Sequence, residues 1–166
     1  MLKKLLKNPL SNIIIVFLIF FIDRLSKSYV LSLREQGNEI DIYLTSYLNI
    51  YLIWNKGIAF GLMSFNSNII YNLITFLIIA ICIIILIMII RSEGFKKYSL
   101  IAVLGGALGN LHDRIYYGAV PDFIDLHFKS FHWFIFNIAD AFITIGVFCL
   151  ICAELFVQNR EVKNEK

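Results

Sequence analysis

Four long runs of apolar residues, separated by segments that contain polar and charged residues, organise this chain of 166 residues. They predict membrane-spanning helices over residues 12–33, 69–90, 98–115 and 134–157. Residues 69–90 carry no charge. At ~1.5 Å per residue they reach ~33 Å, which is enough to cross a hydrocarbon core ~30 Å thick. The pattern predicts an all-α polytopic membrane protein, with one membrane-embedded domain over residues 1–166 and a flexible tail at residues 158–166.

Between the first two runs, apolar and polar residues alternate in two short stretches. The apolar positions are Ile40, Ile42 and Leu44, then Leu48, Ile50 and Leu52. Alternation with a period of two predicts β-strands, and the sequence Asn55-Lys56-Gly57 that follows predicts a turn. We therefore expect a small β-sheet on the membrane surface. An irregular loop anchored at the interface by Trp54 and the tyrosines is the alternative.

Composition and charge agree with a membrane protein and predict its orientation. The chain is 59% hydrophobic and 16% charged, and its mean hydropathy is +0.76. Nine of the fifteen lysines and arginines lie before the first run, between the second and third, or after the fourth. Because cytoplasmic segments are enriched in these residues, both termini are predicted to be cytoplasmic. The apolar residues at the start of the first run are followed by Asp23-Arg24, and no cleavage site of small residues lies there. This favours a permanent span over a removable signal peptide.

Two aspartates near the predicted external boundary are the candidate chemical groups. Asp122 lies in the loop before the fourth run, and Asp140 lies inside that run with Asn137 on the same helical face. A charged side chain at bilayer depth costs ~3 kcal/mol or more, which makes a functional role the first hypothesis. Two neighbouring carboxyls in a low dielectric share a proton, and so supply a general acid and a general base. Polar residues that only hold helices together are the alternative.

Other polar residues lie inside the predicted spans. Asp23 and Lys27 are four residues apart and can pair, either as a structural ion pair or as part of the site. Gly105 and Gly109 form a face that allows close helix packing. Asn110 and Arg114 follow on that helix. We expect Asp113 to form a buried structural network with Arg114, and Arg24 to reach toward the membrane interface.

Five sequence blocks, in this order, resemble the bacterial lipoprotein signal peptidases, or signal peptidase II. They are DRLSK (residues 23–27), NKGIAFG (55–61), GGALGNLHDR (105–114), GAVPDFID (118–125) and FNIAD (136–140). The resemblance covers nearly the whole chain. It implies four transmembrane helices with a small extracytoplasmic β-sheet in the first external loop.

The resemblance also implies an aspartic endopeptidase of the bacterial inner membrane, with its active site on the extracytoplasmic side. Such enzymes cleave diacylglyceryl-modified prolipoproteins before the lipidated cysteine, so the implied partners are these substrates and membrane lipid, and not nucleic acid. No cofactor and no metal are implied. The implied catalytic pair is Asp122 and Asp140. The implied substrate-binding or supporting residues are Asp23, Lys27, Asn55, Gly109, Asn110, Arg114, Asn137 and Ala139. Pro121 departs from the family, in which an aliphatic residue is more usual before the aspartate.

Two other functions are compatible with polar residues in a membrane protein. A polar-lined transporter would also carry ionisable residues inside its helices, but no inverted repeat is visible and the polar groups cluster at one end. A metal-dependent hydrolase would use the acids with His112, His127 and His132. These histidines have no familiar metal-ligand spacing, which argues against that alternative.

Overall fold

The computed structural model describes residues 9–35, 40–57, 68–129 and 131–164. Over this part of the chain it contains helices α1 (Pro9–Glu35), α2 (Asn68–Arg91), α3 (Gly94–Tyr117) and α4 (Ile138–Asn164). The strands are β1 (Asp41–Thr45), β2 (Leu48–Asn55), β3 (Val120–Phe128) and β4 (Phe131–Phe136). The fold is therefore four helices and one small sheet, as the sequence predicts.

The helices correspond to the four apolar runs, and the clearest differences in bounds lie at the two ends of the fourth helix. Two segments, Ile69–Arg91 and Ile138–Leu155, are long and apolar enough to cross a membrane by themselves, whereas α1 and α3 contain buried charged residues. The fourth helix was predicted to start at residue 134, but residues 131–136 form β4. Aromatic and β-branched residues favour a strand there, and β4 is paired with β3. At its other end α4 continues through residues 158–164, where the sequence predicted a flexible tail.

Helix α3 packs closely against α1 and α4 because glycines face both neighbours. A Cβ added at Gly105 would lie 2.8 Å from Cβ of Ile19 on α1, and one at Gly106 would overlap the carbonyl of Ala139 on α4. A Cβ at Gly109 would lie 2.6 Å from a carboxylate oxygen of Asp23. The predicted close-packing face of Gly105 and Gly109 is thus confirmed.

The sheet is antiparallel, with its strands in the order β1-β2-β3-β4. Strands β1 and β2 confirm the alternation read from the first loop, whereas β3 and β4, between α3 and α4, were not predicted. A small cluster of Val30, Ile40 and Phe123 packs the sheet against the end of α1. This contact buries the first half of β3, which carries Asp122.

Candidate active site

Asp122 is fully buried on β3, and both of its carboxylate oxygens accept hydrogen bonds. Asn55 Nδ2, at the end of β2, donates to Oδ2 over 2.9 Å, and Asn137 Nδ2 donates to Oδ1 over 2.6 Å. Pro121 lies inside β3 opposite Trp54. Two amides from separate parts of the chain therefore fix the orientation of this carboxyl group.

Asp140 lies in the first turn of α4, and Asn137 immediately precedes that helix. The backbone N–H of Asp140 donates to Asn137 Oδ1 over 3.0 Å, and the N–H of Asn137 donates to Asp140 Oδ2 over 3.3 Å. This reciprocal arrangement satisfies two N–H groups that a helix start leaves free. Asn110 Nδ2 donates to the other carboxylate oxygen over 2.8 Å. Asn137 thus contacts both aspartates.

The surroundings of Asp122 change its acidity. Burial and, after it, the negative charge of Asp140 together raise the pKa of Asp122 to about 7. The hydrogen bonds from Asn55 and Asn137, and the more distant charge of Lys27, oppose the rise in pKa. Asp122 can therefore bind or release a proton near neutral pH, as a general acid or base requires.

Behind the two acids lies a buried network of charged residues that joins α1 and α3. Lys27 Nζ donates to Asp23 over 3.0 Å, to Asn110 over 2.9 Å and to Asp113 over 2.7 Å. All three ammonium hydrogens are thereby used. Arg24 donates to both oxygens of Asp113. This network offsets the cost of burying charge, since each ion has a partner of opposite sign.

Two expectations about this network were wrong. Asp113 pairs with Arg24 and Lys27, and not with Arg114, because adjacent residues on a helix point in different directions. Arg24 does not extend away from the bundle but donates to Asp113 and Asp23. Asp23 in turn accepts a hydrogen bond of 3.0 Å from the N–H of Ala139, one residue before Asp140. The network is consequently connected to the start of α4.

Arg114 lies on the other side of α3, beside the aspartates. It donates through Nη2 to the carbonyl of Gly57, and the N–H of Gly57 donates to Asn55 Oδ1 over 2.8 Å, which forms the predicted turn. Nε and Nη1 of Arg114 are buried and have no hydrogen-bond partner among the described residues. Buried guanidinium hydrogens without partners are unusual in proteins, and they are free to bind a ligand carbonyl.

A cavity of about 200 Å³ connects these groups. Its polar lining consists of Asn55, Asn110, Arg114, Asp122 and Asp140. The remaining lining is apolar, with Val103 and Ile143 among its members. A cavity with two acids, three donors and apolar walls is suited to hold a short stretch of peptide with a water molecule.

The structure brings together all of the residues that the resemblance implied. Asn55, Asn110, Arg114 and Asn137 surround the two acids, whereas Asp23, Lys27, Gly109 and Ala139 lie directly behind them. Sequence reasoning did not predict that Arg24 belongs to the charged network behind the acids. Its position next to Asp23 in the sequence could have indicated this. Residues 58–61 of the second block lie outside the described residues.

The histidines do not join this site within the described part of the chain. His112 Nδ1 lies 3.0 Å from Arg24 Nη1, and its ring packs on Tyr116. His127 and His132 lie together on the sheet, next to Asp125. The acids are therefore held by amides and not by imidazoles, unlike the site that the hydrolase alternative requires.

Comparison with known proteins gives consistent results. The model of the family described as signal peptidase (SPase) II matches residues 15–156. A lipoprotein signal peptidase of Pelagibacter ubique is 54% identical over 161 residues, covering 97% of this chain and 96% of the relative. A lipoprotein signal peptidase of Anaplasma marginale is 35% identical over 153 residues, and the alignment covers 90% of this chain and 87% of the relative.

Solved structures extend the likeness to the fold. A bacterial membrane enzyme solved at 2.3 Å resolution superposes with a TM-score of 0.71 at 29% identity, covering 94% of this chain and 92% of the other. A second bacterial membrane enzyme, solved at 1.9 Å resolution, superposes with a TM-score of 0.65 at 30% identity. The superposition covers 87% of this chain and 92% of the other. These relatives are peptidases and membrane enzymes, and they do not support the transporter alternative. Sequence, fold and the buried pair of acids agree: the chain belongs to the signal peptidase II family of membrane peptidases.

Proposed function

We propose that this protein is an aspartic endopeptidase that removes the signal peptide from diacylglyceryl-modified prolipoproteins, cutting before the lipidated cysteine. The observation that carries the proposal is the pair of buried residues Asp122 and Asp140. Both form hydrogen bonds with Asn137, and both line the same cavity. The relatives named lipoprotein signal peptidase support the class of substrate.

The chemistry follows from one proton shared by two carboxyl groups. The ionised carboxylate removes a proton from water while the water oxygen attacks the scissile carbonyl carbon. The protonated carboxyl donates its proton to the carbonyl oxygen, which gives a neutral tetrahedral diol. The carboxyl that took the proton from water then gives it to the amide nitrogen. The C–N bond breaks, the diol loses a hydroxyl proton to the other carboxylate, and the pair returns to its starting state.

The surrounding polar groups position the reactants. Asn55, Asn110 and Asn137 each donate to a carboxylate oxygen, so the acids cannot rotate away from the cavity. Nε–H and Nη1–H of Arg114, which have no hydrogen-bond partner among the described residues, supply donors for a carbonyl of the bound peptide. This chemistry uses only side chains of the protein, and the proposal includes no metal or cofactor in the reaction.

The proposal places the site at the extracytoplasmic end of a four-span bundle, with both termini in the cytoplasm. The distribution of lysine and arginine supports this orientation. The acyl chains of the substrate then stay in the bilayer and contribute to binding at ~0.8 kcal/mol per buried CH₂. The peptide beside them reaches the depth of the two acids, and the sheet with Trp54 covers it from the water side.

A comparison of two forms of one substrate tests this function. Purified protein is incubated with a prolipoprotein that carries the diacylglyceryl group and with the same chain without it. We expect mass spectrometry to show cleavage of the lipidated form alone, with the modified cysteine as the new N-terminus. Equal cleavage of both forms, or cleavage at another bond, contradicts the proposed substrate class.

A further inference from the structure

A second cluster of chemically active side chains lies on the β3–β4 hairpin and plays no part in the proposed reaction. Asp125 and His127 are two residues apart on β3, so their side chains emerge on the same face of the sheet. His132 on β4 is the direct cross-strand partner of His127. The cross-strand pairing thus brings together three residues that are spread over the sequence Asp-x-His-x₄-His.

The three groups are within reach of a single ion. Their ligand atoms all lie within 4.8 Å of one another. His132 Nδ1 is 2.8 Å and His127 Nδ1 is 3.7 Å from Asp125 Oδ2. The side chains of Asp125 and His127 are 1% and 8% exposed, whereas that of His132 is 55% exposed. Two ligands are therefore held firmly, and the third can adjust.

Two buried polar atoms of this cluster lack a hydrogen bond within the described part of the chain. Asp125 Oδ1 and His127 Nδ1 form no hydrogen bond with any described residue. Asn49, the cross-strand neighbour of Asp125 on β2, also has a buried Oδ1 without a partner in the same part of the chain. Unsatisfied buried polar atoms are rare and call for a ligand, an ion or a water molecule. Two of these atoms belong to Asp125 and His127, which are themselves members of the cluster.

We propose that Asp125, His127 and His132 form a binding site for a divalent transition-metal ion, with Zn²⁺ as the best fit. Two imidazoles and a carboxylate are typical zinc ligands, and they leave a fourth position for water. In a tetrahedral site with bonds of ~2.0–2.1 Å, ligand atoms lie ~3.3 Å apart. The 2.8 Å between His132 and Asp125 would lengthen and the 3.7 Å between His127 and Asp125 would shorten to reach this spacing, and the exposed His132 has room to move.

Such an ion would connect β3, which carries Asp122, to β4, which leads into Asn137 and α4. Asp122 lies three residues before Asp125 on β3, and Asn137 follows the end of β4. A metal ion bonded to both strands would hold this hairpin together without touching the reacting atoms. The role assigned to the metal is therefore structural, and the site is independent of the proposed peptidase reaction.

Metal binding can be measured directly on the whole protein. The protein is purified in an uncharged detergent without a polyhistidine tag, freed of metal with EDTA, and titrated with Zn²⁺ alone by calorimetry. We expect one Zn²⁺ per chain, no binding of Mg²⁺, and a higher unfolding temperature with Zn²⁺. His127→Gln and His132→Gln should each weaken binding at least ~10-fold, because even residues that only support metal ligands have effects of that size.

His112→Gln is the matched control, since His112 is the remaining histidine of the three in the chain. This variant should bind Zn²⁺ as the wild type does. Because His132 is mostly exposed, His132→Gln should fold normally, so loss of binding in this variant cannot be attributed to misfolding. Absence of Zn²⁺ binding to the wild type, or equal affinity in the wild type and His132→Gln, overturns the proposal. So does loss of binding in His112→Gln alone.

Discussion

Asp122 and Asp140 come from different elements, a strand and a helix start, and Asn137 donates or accepts hydrogen bonds with both. The two carboxyls differ in their partners. Among the described residues, Asp122 accepts hydrogen bonds from side-chain amides, whereas Asp140 also accepts one from the backbone N–H of Asn137 at the start of α4. Unequal surroundings of this kind allow one acid to stay ionised while the other keeps the shared proton.

The hydrogen bond from Asn55 provides a test of this balance through the pH profile. Activity should fall above about pH 7, where Asp122 loses its proton. Asn55→Ala removes a donor that stabilises the charged carboxylate, so the pKa of Asp122 should rise. The alkaline limb of kcat/KM should then move to higher pH by about one unit, since such a bond contributes ~1.5 kcal/mol.

Tyr51→Phe is the control, because Tyr51 is an exposed residue on the same strand. Its pH profile should coincide with that of the wild type. If Asn55→Ala lowers the rate but leaves the alkaline limb where it was, Asn55 does not set the acidity of Asp122.

At the residue scale, sequence reasoning identified the polar residues but not all of their pairings. Asp122 and Asp140 could be predicted because isolated acids near a bilayer are costly and because the motifs resemble a known family. The partner of Asp113 could not, since it depends on how α1 and α3 are rotated against each other. The cluster of Asp125 with two histidines was missed for a similar reason: it exists only through the register of β3 and β4.

At the scale of elements, the boundary between β4 and α4 determines where Asp140 lies. Residues 131–136 are apolar enough to look like the beginning of a span, which is why the fourth helix was predicted too early. Strand pairing competes with helix formation there, and Asn137 provides the cap that starts the helix after it. Asp140 is consequently in the first turn, and not two turns inside the helix.

Close packing of α3 against its neighbours gives a second test. A Cβ at Gly109 would approach Asp23, whose other oxygen binds the N–H of Ala139. Gly109→Ala should therefore reduce stability by ~1–3 kcal/mol, as overpacking does. It should also reduce turnover per folded molecule, because it displaces the residues behind Asp140. Thermal unfolding in detergent and the cleavage rate of the folded fraction measure the two effects.

Gly105→Ala on α3 is the matched variant. Its Cβ would lie 2.8 Å from Cβ of Ile19 on α1, a residue outside the lining of the cavity and outside the charged network. It should lower the unfolding temperature in the same way while the folded fraction keeps its turnover. Equal loss of turnover in both variants would show that helix packing in general, and not the contact with Asp23, supports the active site.

At the scale of the whole molecule, the proposed arrangement places the buried acids and the basic segments on opposite sides of the membrane. Reporter fusions after Lys97 and Val157 should report a cytoplasmic location, and fusions near Gly37 and Ser130 an external one. The physical reason is that the segments rich in lysine and arginine stay in the cytoplasm. An external reading at Val157 contradicts the four-span arrangement.

The most direct measurement is cleavage of a lipidated prolipoprotein by three purified proteins: the wild type, Asp122→Asn and Asp140→Asn. Each substitution removes one carboxyl of the proposed pair and keeps nearly the same shape. The account predicts that both variants insert and unfold like the wild type but lose activity by roughly 10²–10⁴-fold or more, the range for loss of a general acid or base. Turnover near the wild-type rate by either folded variant would contradict it.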